Sequence, residues 1–455
     1  MAVLTGAALG AGLGTTASMG SSVPFALGAA LAAFGVVVSL PLRPIVWLYV
    51  LVIATPLTAA MPRGQTIPFL TLNEAIIVFT LSLTLLYVLF ERRNGLVPPI
   101  VLGATLVYVF GTSLLPLITH GARGAVLDVS SLMSLLSPLK FVAVGWLAAI
   151  VPLGRVERAR VVYLMVLSGA FVSIVGLLQG ADVTIVVQWL RDWYPSGHLV
   201  RAQEVGRVTS VLGAWNSLGL FLVTILLLIA ATSLDEPMRR HRRVVAVSAV
   251  LAIVCLMATN LYSGLLGAVA GLLIIKAVDA RGLRSLIPVL LVVLVGFIAL
   301  LPALAERLTV QFASESWVPQ TIGYRYFVWS TYFWPAIVEQ PLWGVWPTFD
   351  RLAFPHPESQ YIYLLYRSGL VSLVAHAVWV IALVIWLLRV RRAPPRRALQ
   401  PWDRGVALVV IVLLLVFSAI GAINPVFTYT ASMSYVWILL GLVVNAREEA
   451  SHASR

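Results

Sequence analysis

Long apolar runs separated by short polar stretches make up most of the chain. Each run is long enough for a helix to cross about 30 Å of hydrocarbon. The pattern therefore predicts an all-α fold, a polytopic membrane helix bundle of about 12 to 14 transmembrane helices. We expect 1–455 to form a single membrane domain. The runs lie at roughly 24–40, 45–60, 72–90, 97–117, 134–152, 160–178, 212–233, 244–259, 262–278, 285–304, 360–388, 406–422 and 428–444.

Composition supports the membrane assignment. Hydrophobic residues make up 60% of the chain and charged residues only 11%, whereas a soluble domain is about 25% charged. The net charge of +13 lies in short loops rather than in one patch, so we expect no nucleic-acid partner. Cys255, the single cysteine, lies in an apolar run and is expected to pack in the core. No metal-binding or cofactor-binding motif occurs in the sequence.

Basic clusters predict how the bundle is oriented. They occur in alternate loops, and such loops usually face the cytoplasm. The remaining, longer loops then face outward, and we expect 179–211 and 305–358 to be extracytoplasmic loops that form the active site. The basic clusters lie at 91–93, 155–160, 239–243, 281–284 and 389–397, and the third outward loop lies at 118–133.

Arginines in the outward loops run against this charge bias. Long loops escape the bias, so each arginine alone can be a solvated loop residue. Together they indicate an anionic ligand, because a guanidinium donates two parallel hydrogen bonds to a phosphate and stays charged. These arginines are Arg123, Arg191, Arg201, Arg207, Arg307, Arg325 and Arg351.

Two segments combine such an arginine with a helix boundary. Arg207 precedes a turn containing Gly213 and then Asn216 at the start of a span. It is either a phosphate clamp on a lipid carrier or an interfacial arginine beside a helix cap. Arg325 opens an aromatic stretch over 325–338 that predicts an amphipathic interfacial helix, which Pro341 and Gly344 end. The alternative for Arg325 is that it snorkels from this interfacial helix, with its alkyl chain on apolar surface and its guanidinium in water.

A third segment precedes the long run at 360–388. Glu358 is favoured at a helix start, where a carboxylate meets the positive end of the helix dipole. It is therefore either a cap or a general base at the mouth of a span. His356 is either a second candidate base or an ordinary loop histidine. His376 lies inside the run and is expected to be a hydrogen-bonded packing residue rather than a proton relay.

These three segments together resemble the bacterial O-antigen ligase and O-antigen polymerase superfamily. The family's arginine, glycine turn and asparagine match 207–216. Its arginine–tryptophan helix and following turn match 325–345, and its helix-start motif matches 358–371. The resemblance covers roughly 205–390 and rests on the order, spacing and common outward placement of the motifs.

The chain also departs from that family. Glu358 occupies the family's histidine position, and the chain's own His356 lies two residues earlier. The family's Ser-Arg pair corresponds to Tyr262-Ser263, which lacks the arginine. Lys140 falls where relatives often carry a basic residue near the outer end of a span.

The resemblance implies a GT-C-like fold and a glycosyltransferase of the bacterial inner (cytoplasmic) membrane whose site faces the exterior. The donor would be an undecaprenyl-diphosphate-linked glycan, and the acceptor a glycan or a lipid-anchored molecule. Arg207 and Arg325 would stabilise the leaving diphosphate, and Glu358 or His356 would be the base. The reaction would be inverting and metal-independent. Substrate-binding residues would be Arg207, Arg325, Lys140, Asn216, Trp329, Tyr361, Arg351 and Arg123.

Two other classes of function fit the same composition. A flippase or transporter of lipid-linked glycans would also need many spans and arginines, but it would carry charges near the bilayer midplane. A non-catalytic component of a polysaccharide export or assembly complex would tolerate loss of the candidate base. Polymerase and ligase activities share these motifs and differ only in the acceptor.

Overall fold

A computed structural model describes residues 44–65, 70–91, 97–124, 129–233, 235–278, 305, 309, 320–345, 356–394 and 399–452. Over these residues the fold is all-helical, and no β-strand forms. The predicted spans at 24–40 and 285–304 and the candidate Arg351 lie outside them.

Sixteen helices give the fold its order along these residues. They are Pro44–Thr58 (α1), Leu72–Glu91 (α2), Pro99–Ala122 (α3), Val129–Ile150 (α4), Arg155–Gly180 (α5), Thr184–Trp193 (α6), Gly197–Glu204 (α7), Trp215–Thr232 (α8), Glu236–Arg239 (α9), Arg242–Ala258 (α10), Tyr262–Val278 (α11), Gln320–Val328 (α12), Trp334–Glu339 (α13), Gln360–Arg391 (α14), Pro401–Gly421 (α15) and Thr430–His452 (α16).

Six helices in the described part of the chain are long and apolar enough to cross a membrane. They are α3, α4 over Leu132–Ile150, α5, α8, α14 and α15. Shorter apolar helices are α1, Leu72–Leu85 of α2, and α11. The described part of the chain is thus all-helical and contains several helices suited to cross a membrane, while the total of about 12 to 14 stays a prediction.

The helix α8 lies at the centre of the bundle. Within this helix, 83% of the residues in the apolar segment are buried inside the protein. The helix packs against α5, α10, α11, α15 and α16. Its side chains are apolar all round, which suits a helix enclosed by other helices. By contrast, α14 is only 44% buried and lies at the periphery. The site described below therefore sits at the start of a peripheral helix.

Pro56 in α1 leaves one backbone carbonyl without its helical hydrogen bond, and a side chain from α16 supplies the missing donor. Proline has no backbone N–H, so the carbonyl of Val52 loses its helical partner. Tyr435 of α16 has a fully buried side chain. Its hydroxyl donates a hydrogen bond to the carbonyl oxygen of Val52, with 2.9 Å between the two oxygens. A side chain thus replaces the missing helical hydrogen bond and ties α1 to α16.

A buried arginine joins three helices at one end of the bundle. Arg158 of α5 is 1% exposed and makes two bonds to Asp403 of α15, at 3.0 and 3.2 Å. It also donates to Glu449 of α16 at 2.7 Å and to the carbonyl of Leu153 at 2.9 Å. We call this the Arg158 end. The basic cluster 155–160, which was predicted to be a cytoplasmic loop, forms the first turns of α5 and meets the last turns of α16 at this end of the bundle.

Candidate functional site

An ion pair joins two of the predicted segments at the opposite end, where α8, α14 and α16 begin. The Nε of Arg325 lies 2.9 Å from Oε2 of Glu358, across 33 residues of sequence. The Arg325 side chain is 22% exposed and that of Glu358 is 45% exposed. Both charged groups are therefore positioned by contacts and still accessible from outside the bundle.

The backbone before α14 is shaped to present this carboxylate. Glu358 adopts a left-handed φ of 46°, which costs a non-glycine residue roughly 1 kcal/mol. Its backbone N–H donates to Nδ1 of His356 at 3.2 Å, and Nε1 of Trp329 donates to the carbonyl of Pro357 at 2.5 Å. His356 and Trp329 thus hold the conformation that directs Glu358 toward Arg325.

The cap of α14 is Ser359 rather than Glu358. The Ser359 hydroxyl oxygen accepts from the N–H of Ile362 at 3.4 Å. Capping of α14 therefore does not account for the acidic residue, whose carboxylate pairs with Arg325 instead. Both candidate bases lie just outside the helix, and the histidine ring accepts a bond from the backbone of the glutamate.

A chain of amide and hydroxyl groups lies next to Glu358. Asn216 of α8 donates to Oδ1 of Asn424 at 3.1 Å, and Asn424 donates to the hydroxyl of Ser263 at 3.2 Å. Burial raises the pKa of the Tyr429 hydroxyl. The negative charge of Glu358 also raises this pKa, whereas a hydrogen bond with Asn216 lowers it. Asn216 therefore contacts Tyr429, and Glu358 lies near enough for its charge to act on the same hydroxyl, although the two residues belong to different motifs.

The predicted clamp Arg207 lies against the start of α8. Its guanidinium sits 5.0 Å from the ring centroid of Trp215, the neighbour of Asn216. Gly213, with φ of 69°, makes the tight turn predicted before α8. The first motif thus lies at the start of α8, where Asn216 contacts Tyr429 and the charge of Glu358 acts on the same tyrosine.

Lys140 of α4 borders the same region. Its Nζ donates to the hydroxyl of Thr430, which follows Tyr429, at 3.1 Å. It also lies 3.9 Å from Oε1 of Glu74, and Arg63 lies 2.8 Å from the same oxygen. Lys140 is therefore part of a charged cluster at the Glu358 end of the bundle.

Tyr361 fastens α14 to α15. Its hydroxyl donates to the carbonyl of Ser418 at 2.5 Å. The preceding Gln360 accepts from the N–H of Phe427 at 3.2 Å and so holds the turn before α16. These contacts hold the start of α14 against α15 and against the turn that leads to Tyr429.

Arg123 stabilises the turn after α13. It donates to Oε1 of Gln340 and, at 3.0 Å, to the carbonyl of Gly344. This turn docks on a kink in α14, where Gly369 has φ of 72° and ψ of −171°. The N–H of Leu370 donates to the carbonyl of Pro341 at 2.8 Å. The predicted end of the interfacial helix at Pro341 and Gly344 is confirmed, since α13 ends at Glu339.

Sequence reasoning missed the buried Arg367 of α14. It is 5% exposed and donates to the hydroxyl of Tyr363 at 2.6 Å. Its Nε and Nη2 are buried without a hydrogen-bond partner among the described residues. Its carbonyl bonds the ring of His120 at 3.3 Å. An arginine inside an apolar run is the signal that would have found it.

Tyr429 and Asn424 were missed as well. Asn424 lies in the break between the predicted spans 406–422 and 428–444, and Tyr429 lies at the start of the second span; neither position carried a recognised motif.

His376 packs differently from the prediction. Its ring lies against Tyr108, Trp379 and Phe427, at centroid distances of 5.9, 5.8 and 4.4 Å. Neither ring nitrogen has a hydrogen-bond partner among the residues that the structure describes. The packing role is confirmed, and the expected hydrogen bond is not present.

No model of a known protein family matches the chain, and no curated protein matches it. Within the described ranges, no three His, Cys, Asp or Glu side chains group closely enough to hold a metal ion. The resemblance to O-antigen ligases and polymerases stays a prediction from the motifs.

Proposed function

We propose that this protein is a glycosyltransferase that moves an undecaprenyl-diphosphate-linked oligosaccharide onto the hydroxyl of an acceptor glycan at the outer leaflet. The observation that carries the proposal is the ion pair between Arg325 and Glu358. The pair places a guanidinium that can bind a diphosphate next to a carboxylate that can accept a proton from a hydroxyl, at the start of a span.

The chemistry needs a base and a stabiliser of the leaving group. Glu358 takes the proton of the acceptor hydroxyl, whose oxygen forms the new bond to the anomeric carbon. The bond from that carbon to the diphosphate breaks, and undecaprenyl diphosphate leaves. Arg325 carries five N–H donors, so it can orient Glu358 through Nε and contact the diphosphate with other donors.

Arg207 supplies a second positive charge to the leaving group. Stacking over Trp215 holds its guanidinium near Asn216. Negative charge develops on the diphosphate as the bond breaks. Two arginines that contact the diphosphate stabilise this transition state more than they stabilise the bound donor, and this difference lowers the barrier.

The first test is transfer by purified protein, in detergent with EDTA, from a synthetic undecaprenyl-diphosphate oligosaccharide supplied alone. A ladder of longer lipid-linked products supports a metal-independent polymerase. Intact donor that is consumed only when an acceptor is added supports a ligase. Donor that stays intact with every acceptor, but crosses vesicle bilayers in the presence of the protein, overturns the proposal in favour of a transporter.

Arginine variants sharpen that test. Arg207→Ala and Arg325→Ala should each abolish transfer while the protein still purifies as a folded species. The matched control is Arg201→Ala, an exposed arginine of α7 in the same outward loop as Arg207. Product of normal length and yield from either of the first two variants would refute the diphosphate clamp.

A further inference from the structure

A second basic site lies at the Arg158 end, far along the chain from the residues of the proposed function. A cavity of about 370 Å³ opens between the start of α5, the short helix α9 and the start of α10. Its volume falls in the range of small-molecule sites, about 300–1,000 Å³. Its polar lining comes from Arg155, Arg160, Tyr163, Glu236, Arg240 and His241.

The charge of this cavity is strongly positive. Three guanidinium groups face one carboxylate, which leaves a net charge of +2 with the histidine neutral. Arg155 and Glu236 approach only to 4.0 Å, the edge of ion-pair distance. The Nε of Arg155 is buried and has no hydrogen-bond partner among the described residues. The cavity thus holds more donor capacity than its own acceptors use, which favours an anionic ligand.

Aromatic packing gives the cavity a fixed wall. The rings of Tyr163 and His241 lie 4.5 Å apart at 31° and join α5 to the residue that precedes α10. Because α5 packs against both α9 and α10, the basic groups on α5 are held beside those in the turn between α9 and α10. A preorganised cluster of this kind binds a ligand at lower entropic cost.

An apolar stripe runs from the cavity along α10. Val244, Val247, Val250 and Val254 are 40, 58, 46 and 44% exposed, and their spacing places them on one helix face. This stripe begins three residues after His241. A ligand that carries a phosphate and hydrocarbon chains fits both features, whereas a free phosphate would use only the cavity.

We propose that this cavity binds the phosphodiester headgroup of an anionic phospholipid, whose acyl chains lie along the valine stripe of α10. Basic pockets between transmembrane helices on the cytoplasmic side are suited to such headgroups, and this end carries the loops that the charge pattern predicts to be cytoplasmic. The proposal concerns a separate site and stands whether or not the protein transfers glycans.

Native mass spectrometry of the full chain in detergent tests the proposal, with phosphatidylglycerol and phosphatidylcholine as probes. The variant R155Q/R240Q removes two cavity guanidiniums. The control R239Q/R242Q removes the same charge from exposed positions that do not line the cavity. We expect the first variant to retain phosphatidylglycerol at least about tenfold more weakly, as lost charge-assisted hydrogen bonds predict. The control should bind like the unaltered protein.

Any of the following results would overturn the lipid site. Equal weakening in both double variants would mean general attraction of anions to a basic surface. Equal retention of phosphatidylcholine and phosphatidylglycerol would mean no headgroup recognition. Displacement by water-soluble glycerophosphate at matched concentration would mean a site for free phosphate esters. If R155Q/R240Q fails to fold, Arg160→Gln takes its place, and unchanged binding in that variant also overturns the proposal.

Discussion

Glu358 combines a strained backbone with an exposed side chain. Its left-handed φ persists because His356 and Trp329 hold the backbone on both sides. Strain of this kind clusters at functional sites, where surrounding contacts fix a group in place for its task. The carboxylate is therefore the better candidate base of the two, and the histidine is its support.

Glu358→Gln should reduce transfer far more than His356→Ala. The amide keeps the size of the side chain and a hydrogen bond to Arg325 but cannot accept the proton of a hydroxyl. Loss of the histidine removes a backbone contact and leaves the carboxylate. Initial rates with saturating donor measure the difference, and both variants should unfold at similar temperatures. The reverse order of rates would assign the base to His356.

At this scale, sequence patterns predicted which residues are chemically suited but not which of them touch. Arg207, Arg325 and Glu358 were singled out because each stands beside a helix boundary in a polar stretch, and their roles stay predictions. The hydrogen bond from Asn216 to Asn424 could not be predicted, because it spans 208 residues. Side chains brought together by tertiary packing leave no local pattern.

The kinked helix α14 and the turn after α13 form one unit. Backbone hydrogen bonds run from Leu370 to Pro341 and from Val345 to Tyr366, both at 2.8 Å. A side chain at Gly369 would overlap the carbonyl of Leu342. Only glycine therefore allows the turn to approach this closely in this backbone conformation.

Gly369→Ala should destabilise the protein by at least about 1–3 kcal/mol, since the residue combines a glycine-only conformation with close backbone contact. Thermal unfolding in detergent measures the loss. The matched control is Gly103→Ala in α3, where an added Cβ meets nothing within 4 Å. That variant should be neutral or slightly stabilised, because alanine favours the helix. Equal stability of the two variants would contradict the docking role of Gly369.

The apolar runs predicted the helices well, because a span needs a continuous apolar segment. They did not predict the π turns at Phe110–Leu114 in α3 and at Trp329–Phe333 after α12. Each turn ends two residues before a proline, Pro116 or Pro335. A proline cannot donate its backbone bond, and the helix accommodates this by widening locally. The response depends on neighbouring helices, so sequence alone does not fix it.

The ion networks at the two ends of the bundle differ in how deeply they are buried. At the Arg158 end a buried cation is satisfied by Asp403, Glu449 and backbone oxygen, and it joins three helices. At the Glu358 end the charged groups are partly exposed. The first arrangement stabilises the bundle, and the second keeps charges available to a ligand.

Arg158→Met should lower the free energy of unfolding by about 3–5 kcal/mol, because it leaves Asp403 buried without its partner. Unfolding in mixed micelles measures the change, with Arg239→Met at an exposed position as control. The double variant Arg158→Met with Asp403→Leu should recover part of the loss, since no unpaired charge remains. A loss below about 1 kcal/mol would show that the buried network contributes no more than a surface pair.

The contact between Tyr435 and the carbonyl left open by Pro56 has an evolutionary consequence. Tyr435 donates to a carbonyl that the proline leaves without its helical donor, so the two residues should covary across homologues, although the bond spans 383 positions. Tyr435→Phe alone should cost roughly 1–3 kcal/mol by leaving a buried carbonyl unpaired. Tyr435→Phe combined with Pro56→Ala should cost less, because the alanine N–H restores the bond to Val52, and additive losses in a double-mutant cycle would disprove the coupling. A lineage that loses the proline would thereby be released from keeping the tyrosine.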